Sequence, residues 1–254
     1  MSDTETNLVE QLVTANRILA NEGIMDVFGH ISVRSDRNPE QFLLSSSRSP
    51  QAVRASDILR YRLDCSPVTE TTEKHYVERV IHGAIYQARP DVRTVCHTHS
   101  DGILPFAVSG EAIRPVIHIG TLFWSGVGWF EAYDQGGNLL VSSPTEGKAL
   151  AEALGNRRAV LLKNHGCAVV GESVPAAVMA AIYLDKNARI QMESARLGRT
   201  FFIETDLGRR GAQVFHSALV QERAWGYWLA RLPKGWESEA GIPPTGPHAS
   251  RAAD

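Results

Sequence analysis

The chain has 254 residues, with 26 Lys and Arg against 28 Asp and Glu, a formal net charge of −2, nine His and three Cys. A hydrophobic fraction of 43% and a charged fraction of 21% exclude an intrinsically disordered chain, and the balanced charge gives no general attraction to nucleic acid. Cys65, Cys96 and Cys167 form no CxxC pair and leave one over, which argues against both a disulfide framework and a thiolate zinc site.

The opening MSDTETNLVE is acidic and polar rather than basic and apolar, and no run of about 18 apolar residues follows it. A cytoplasmic protein without a membrane span is expected. Leu8, Leu12, Val13, Ile18 and Leu19 recur at helical spacing with Gly23 just beyond, which predicts a helix over 8–21. Residues 27–34 and 41–44 read as two strands joined by SDRNPE, and 57–64 as a third. Val77, Val80, Ile81 and Ile85 share one face of a helix predicted over 74–89, stopped by Pro90. VRTVCHTHS, residues 92–100, is an apolar strand that ends in polar side chains; residues 113–119 form a short apolar run and 121–128 read as irregular.

Next come a strand at 138–143, a helix at 146–155, and a hairpin of 159–166 with 167–173. Pro175 stands at the start of a long helix to about residue 196, where its missing N–H costs nothing. A last helix covers 211–232, and the Pro- and Gly-rich tail 233–254 is expected to be loosely ordered. With no repeat and no interior linker, one α/β domain over 8–232 is expected. The partial alternation of helices and strands points to a mixed sheet flanked by helices.

Histidines carry the chemistry. His97 and His99 are i and i+2 at a strand end and so point to one side. His165 lies in KNHGC, where Gly166 permits a sharp turn. Three imidazoles suit Zn, Fe, Mn or Co better than Mg or Ca. Glu78, in the predicted second helix, is a fourth candidate donor, although a helix Glu is more usually solvated or paired with a cation such as Lys74 or Arg79.

Glu78 with His82, RPDVRTVCHTHS at 89–100, LLKNHGCAVVG at 161–171 and FGHISVR at 28–34 together resemble the class II aldolase/adducin family over nearly the whole chain. The resemblance implies a single α/β/α domain with a central, mainly antiparallel sheet flanked by helices. It also implies a divalent transition metal held by His97, His99 and His165, with Glu78 as fourth ligand or as acid/base. A homotetramer with active sites between subunits is implied as well.

Sugar-phosphate aldolases of that family carry a Gly-Asn-x-Ser segment, a Thr-Ser-Gly turn and a Ser-Ser pair before the Glu. Here these are Gly29-His30-Ile31-Ser32, Ser45-Ser46-Ser47-Arg48 and Tyr76-Val77, and Ile119 follows His118 where the aldolases have Tyr. Phosphate needs N–H groups and small hydroxyls at close approach, and Tyr76-Val77 supplies neither hydroxyl in the right place. The chain is most similar to the family's decarboxylase branch. That implies a non-oxidative decarboxylase of a hydroxylated aromatic dicarboxylate, or a related carboxylated ring-cleavage product, through a metal-stabilised enolate; a class II sugar-phosphate aldolase or epimerase is the alternative. Ser47 and Arg48 are then candidate contacts to an anionic small-molecule substrate, and His30, Glu78 and His118 candidate proton donors. Read as residues alone, His30 fits equally a hydrogen-bonded strand start, Arg48 a salt bridge, Ser47 a polar turn and His118 a subunit contact. His82 reads as a residue that orients its neighbours.

Overall fold

The computed structural model describes residues 3–134 and 137–242. In chain order the elements are α1 (Asp3–Asn21), β1 (His30–Arg34), β2 (Gln41–Ser45), β3 (Ile58–Arg62), α2 (Arg79–Ala88), β4 (Thr94–Thr98), α3 (Leu104–Ser109) and β5 (Gly128–Phe130). They continue with α4 (Pro144–Leu154), β6 (Ala159–Leu162), β7 (Gly166–Gly171), α5 (Val174–Leu197), α6 (Thr205–Ala212), α7 (Ala218–Leu229) and α8 (Trp236–Ala240). The strands make one seven-stranded sheet in the order β3-β2-β1-β4-β7-β6-β5. Every neighbouring pair is antiparallel except β5 with β6, as the mainly antiparallel α/β/α expectation requires.

The central strands β1, β4, β6 and β7 are buried throughout because both faces of the sheet are covered. Alternate residues serve opposite layers. Ile31, Val33, Cys96, Cys167 and Val169 pack with α1, α5 and Trp228 of α7. Phe42, Leu44, Val95, Ala168 and Val170 pack on the other face with Ile81, Ile85 and Tyr86 of α2 and Leu150 and Leu154 of α4. Among the described residues no helix is long and apolar enough to cross a membrane.

Several expectations change. The first hairpin strand starts at His30 rather than residue 27, leaving Val27 and Phe28 exposed. The helix predicted over 74–89 starts at Arg79, so Glu78 is its N-cap residue and not an interior position. Segment 138–143 forms no strand: Leu139 adopts a positive φ of 64°, and the Val141 N–H is given to the Glu78 carboxylate instead of a sheet partner. One edge of the sheet is taken by β5, which begins at Gly128, the last residue of the stretch read as irregular. The run 113–119 is tied to α5 by side chains that imitate a strand partner: Asn187 bonds the Val116 N–H and Arg114 carbonyl, and Gln191 the Arg114 N–H and Ala112 carbonyl.

The last predicted helix, 211–232, is broken. A 3₁₀ turn, Gln213–His216, and the extended Ser217 separate α6 from α7, and the turn buries Phe215. The tail is not loose from Pro233 onward. Trp236, Ala240 and Ile242 are buried in the core layer of α1 and α5, because an indole and an isoleucine outweigh the local Pro and Gly content. Residues 243–254 lie outside the described residues. Trp236→Ala is expected to cost about 3–5 kcal/mol of stability, read by urea unfolding of the full chain; a cost below about 1 kcal/mol would return the tail to a peripheral role.

Candidate metal centre

The centre is built where β4 and β7 run side by side. Thr98 pairs with Cys167 across the antiparallel ladder, which brings His165, just before β7, beside His99, just after β4. Gly166 is required there. A Cβ on it would lie 2.7 Å from the His99 ring and would also strike the Thr98 carbonyl. Asn164 closes the turn with a φ of 56°, a conformation that Asn tolerates better than most residues.

The rings of His99 and His165 stack at 5.1 Å, and His97 stands edge-on to both at 4.7 and 5.0 Å. The Nε2 atoms of His97 and His99 are 3.0 Å apart. Glu78 Oε2 lies 3.6 Å from the Nε2 of His97 and 3.6 Å from that of His165. One donor atom from each of these four residues falls within 4.8 Å of all the others. Of the four expected donors, the structure brings together all four.

Three of the four donors are aimed from behind, while the buried His165 Nδ1 has no hydrogen-bond partner among the described residues. His97 Nδ1 donates to the Cys167 carbonyl at 3.0 Å, since a carbonyl can only accept, and this leaves its Nε2 as a lone pair. His99 Nδ1 donates to Asp26 Oδ1 at 3.0 Å, and the same oxygen accepts the Phe28 and Gly29 N–H groups. A carboxylate behind an imidazole is the support that metal-binding histidines ordinarily have. Glu78 Oε1 accepts the Val141 N–H at 3.0 Å, which turns Oε2 toward the imidazoles.

This donor set fits a divalent transition metal. Two lone pairs at 3.0 Å repel unless a proton or cation lies between them, and ligands about 2.0–2.1 Å from one ion stand about 3.0–3.4 Å from each other. Neutral nitrogens with one carboxylate suit Zn, Mn, Fe or Co.

The electrostatics agree with that composition. Burial pushes the Glu78 carboxyl up, but His97, His165 and the Val141 N–H together outweigh it and hold it at about 2, so it is ionised. Burial, then the neighbouring His97, brings His165 down to about 4 and lowers His99, the latter opposed by Asp26. His99 and His165 are thereby held as neutral rings beside one anion.

The remaining expected residues are placed unevenly. His30 is buried beside the centre, opposite His97 in the β1–β4 register, with ring centroids 5.1 Å apart. Tyr76 packs on it at 4.5 Å and donates its hydroxyl proton to the Arg48 carbonyl. Arg48 is half exposed, and its guanidinium already faces Asp57 at 3.3 Å and Glu73 at 3.7 Å. Ser47 is exposed on the same turn, its N–H bonded to the Lys74 carbonyl. His118 is not brought to the cluster within one protomer; its exposed ring lies on Phe215 at 5.1 Å, in the layer of α5 and α6. Sequence reasoning missed Asp26 and the Val141 N–H, which come from loops whose closure no periodicity signals.

Comparison with known proteins decides the lineage. The family described as Class II Aldolase and Adducin N-terminal domain matches residues 10–192. The chain belongs to the class II aldolase and adducin family. Decarboxylase tropJ of Talaromyces stipitatus is 30% identical over 89% of this chain and 94% of its own length. The 3,4-dihydroxyphthalate decarboxylase of Arthrobacter keyseri is 29% identical over 92% of this chain and 97% of its own. Among solved structures, L-fuculose 1-phosphate aldolase from Glaciozyma antarctica shares the fold with a TM-score of 0.78 at 23% identity, each chain covered to 96%. The expected family, fold and similarity to the decarboxylase branch all stand.

Two outcomes follow from this geometry. Asp26→Asn should weaken Zn²⁺ or Mn²⁺ binding about 10- to 100-fold by calorimetric titration, and unchanged affinity would show that Asp26 does not support His99. Stability of the metal-free protein should fall on acidification. His82, brought down to about 3 by burial, and His165, at about 4, are uncharged when folded, whereas the unfolded chain protonates both below their ordinary 6.5. Their contribution is present above that pH and is lost toward pH 4, by up to about 1.4 kcal/mol per pH unit per ring. Urea unfolding across that range reads it, and a flat profile would contradict it.

Proposed function

We propose that the protein is a divalent-metal-dependent, non-oxidative decarboxylase acting on a hydroxylated aromatic dicarboxylate of the dihydroxyphthalate kind. One observation carries the choice within the family: the ring of Tyr76 packs against His30 beside the centre, where a phosphate would need small hydroxyls and open N–H groups. The 29–30% identity to two proteins named as decarboxylases, over about nine-tenths of the chain, supports it.

His97, His99, His165 and Glu78 would hold the ion. When bound, it supplies Lewis-acid stabilisation of the negative charge that grows on substrate oxygen as CO₂ departs. Glu78 serves as ligand rather than acid, because a carboxyl held at about 2 carries no proton to give near neutrality. Val77, adjacent to Glu78 in the chain, and Leu139, whose backbone faces the His165 ring, are both exposed, apolar surface that an aromatic ring would match better than a sugar phosphate. Ser47 and Arg48 are assigned to the second carboxylate, Arg48 exchanging Asp57 and Glu73 for a bidentate grip. His30 handles the proton beside the centre, and His118 would enter only from a neighbouring subunit of a homotetramer.

The test is CO₂ release with Mn²⁺, Co²⁺, Fe²⁺ or Zn²⁺ from a panel of dihydroxyphthalates, hydroxypyridine dicarboxylates and carboxymuconic semialdehydes. Release from at least one, abolished by chelation, is expected. No release, with cleavage of a phosphorylated ketose instead, would replace this reading by the aldolase one. His97→Ala should lose bound metal and at least about 100-fold in rate, while Glu78→Gln keeps part of the metal; full activity in His97→Ala would overturn the ligand assignment.

A further inference from the structure

A file of buried polar side chains leads from the centre into the core. His30 Nδ1 is 2.7 Å from His82 Nε2, His82 Nδ1 is 2.6 Å from Ser32 Oγ, and Ser32 Oγ is 2.7 Å from the Tyr86 hydroxyl. Tyr86 in turn donates to the Arg93 carbonyl at 3.4 Å. None of the four side chains exceeds 1% exposure. The arrangement follows from two periodicities meeting face to face: His30 and Ser32 are i, i+2 on β1, and His82 and Tyr86 are i, i+4 on α2.

Each link holds one proton, so the file has two possible orders. In one, Tyr86 donates to Ser32, Ser32 to His82, and His82 to His30 Nδ1, which leaves the His30 proton on Nε2. In the other every donation is reversed and His30 carries its proton on Nδ1. The far end decides between them. The Arg93 carbonyl can only accept, and the Val95 N–H, which bonds the Tyr86 oxygen, can only donate. Only the second order uses the Tyr86 proton on Arg93 while keeping the other three links, so it makes four hydrogen bonds where the first makes three. In a buried site a forfeited bond is costly.

We propose that His82, Ser32 and Tyr86 are positioning residues that hold His30 as its Nδ1–H tautomer, so that it presents a bare Nε2 lone pair to the hydroxyl of the substrate. His30 then arrives as an acceptor that orients the hydroxyl next to the departing carboxylate, not as a ready proton donor. The substrate half of this statement rests on the decarboxylase reading; the tautomer half does not.

The two halves are separable by experiment. On the full chain labelled with ¹⁵N-histidine, with and without diamagnetic Zn²⁺, His30 should show a protonated Nδ1 and a bare Nε2. Ser32→Ala and Tyr86→Phe, which cut the file two and three links away from it, should each give a mixture of tautomers, and Ser32→Thr should restore the wild-type signature. A wild-type His30 protonated on Nε2, or a tautomer unmoved by both cuts, overturns the positioning role whatever the reaction proves to be. With the decarboxylated substrate in hand, Ser32→Ala and Tyr86→Phe should lower kcat about 10-fold or more while KM changes less than twofold, with Ser32→Thr recovering the rate. Tautomers that shift while kcat holds would overturn the acceptor role toward substrate. Tyr86→Phe keeps the ring that fills the core, so it gives the reading should Ser32→Ala fail to fold.

Discussion

The contact on which everything else depends is the close approach of β7 to β4 at Gly166. There the ladder that pairs Thr98 with Cys167 delivers His165 to the pair already fixed by β4, and the space for it exists only because position 166 has no side chain. The Cys167 carbonyl at the same strand end aims His97. One strand pairing thus sets both the distance between ligands and the tautomer of one of them. A displacement of that end would loosen three donors together, which is the reason to build such a site on the centre of a sheet rather than on its loops.

Carboxylates and imidazoles sit here at burial levels that ordinarily exclude them. Most of them are tolerated because they are partnered, the His165 Nδ1 being the exception. Glu78 gains the Val141 N–H and two imidazoles, His99 gains Asp26, and His82 fills both ring nitrogens. Segment 138–143 shows the cost: its apolar run Leu139-Leu140-Val141 suits a strand, yet the Val141 N–H serves Glu78 instead of a sheet partner. Local propensity yields where a buried charge must be satisfied.

Much of this was legible in the sequence. Apolar runs and helical spacings located the central strands and α1, α4 and α5, and the HTH and NHG spacings named three of the four donors. Glu78 was named as well, but as a helix-interior residue, because nothing in HYVER marks a helix starting after the Glu. What stayed hidden was nonlocal. Asp26 reaches His99 across 73 residues and Val141 reaches Glu78 across 63, and such closures leave no periodic trace. The burial of Trp236 was masked by the Pro and Gly around it. Arg48 is a residue for which the sequence offered both a substrate anion and a salt bridge, and in the folded chain its guanidinium faces Asp57 and Glu73.

The central claim is that these four side chains form one metal site. A crystal structure of the Mn²⁺- or Zn²⁺-loaded protein, with anomalous data at the metal edge, tests it directly. A single strong peak ligated by Nε2 of His97, His99 and His165, with Glu78 Oε2 facing it, is the predicted result. A peak elsewhere, or none at full metal loading, would contradict it.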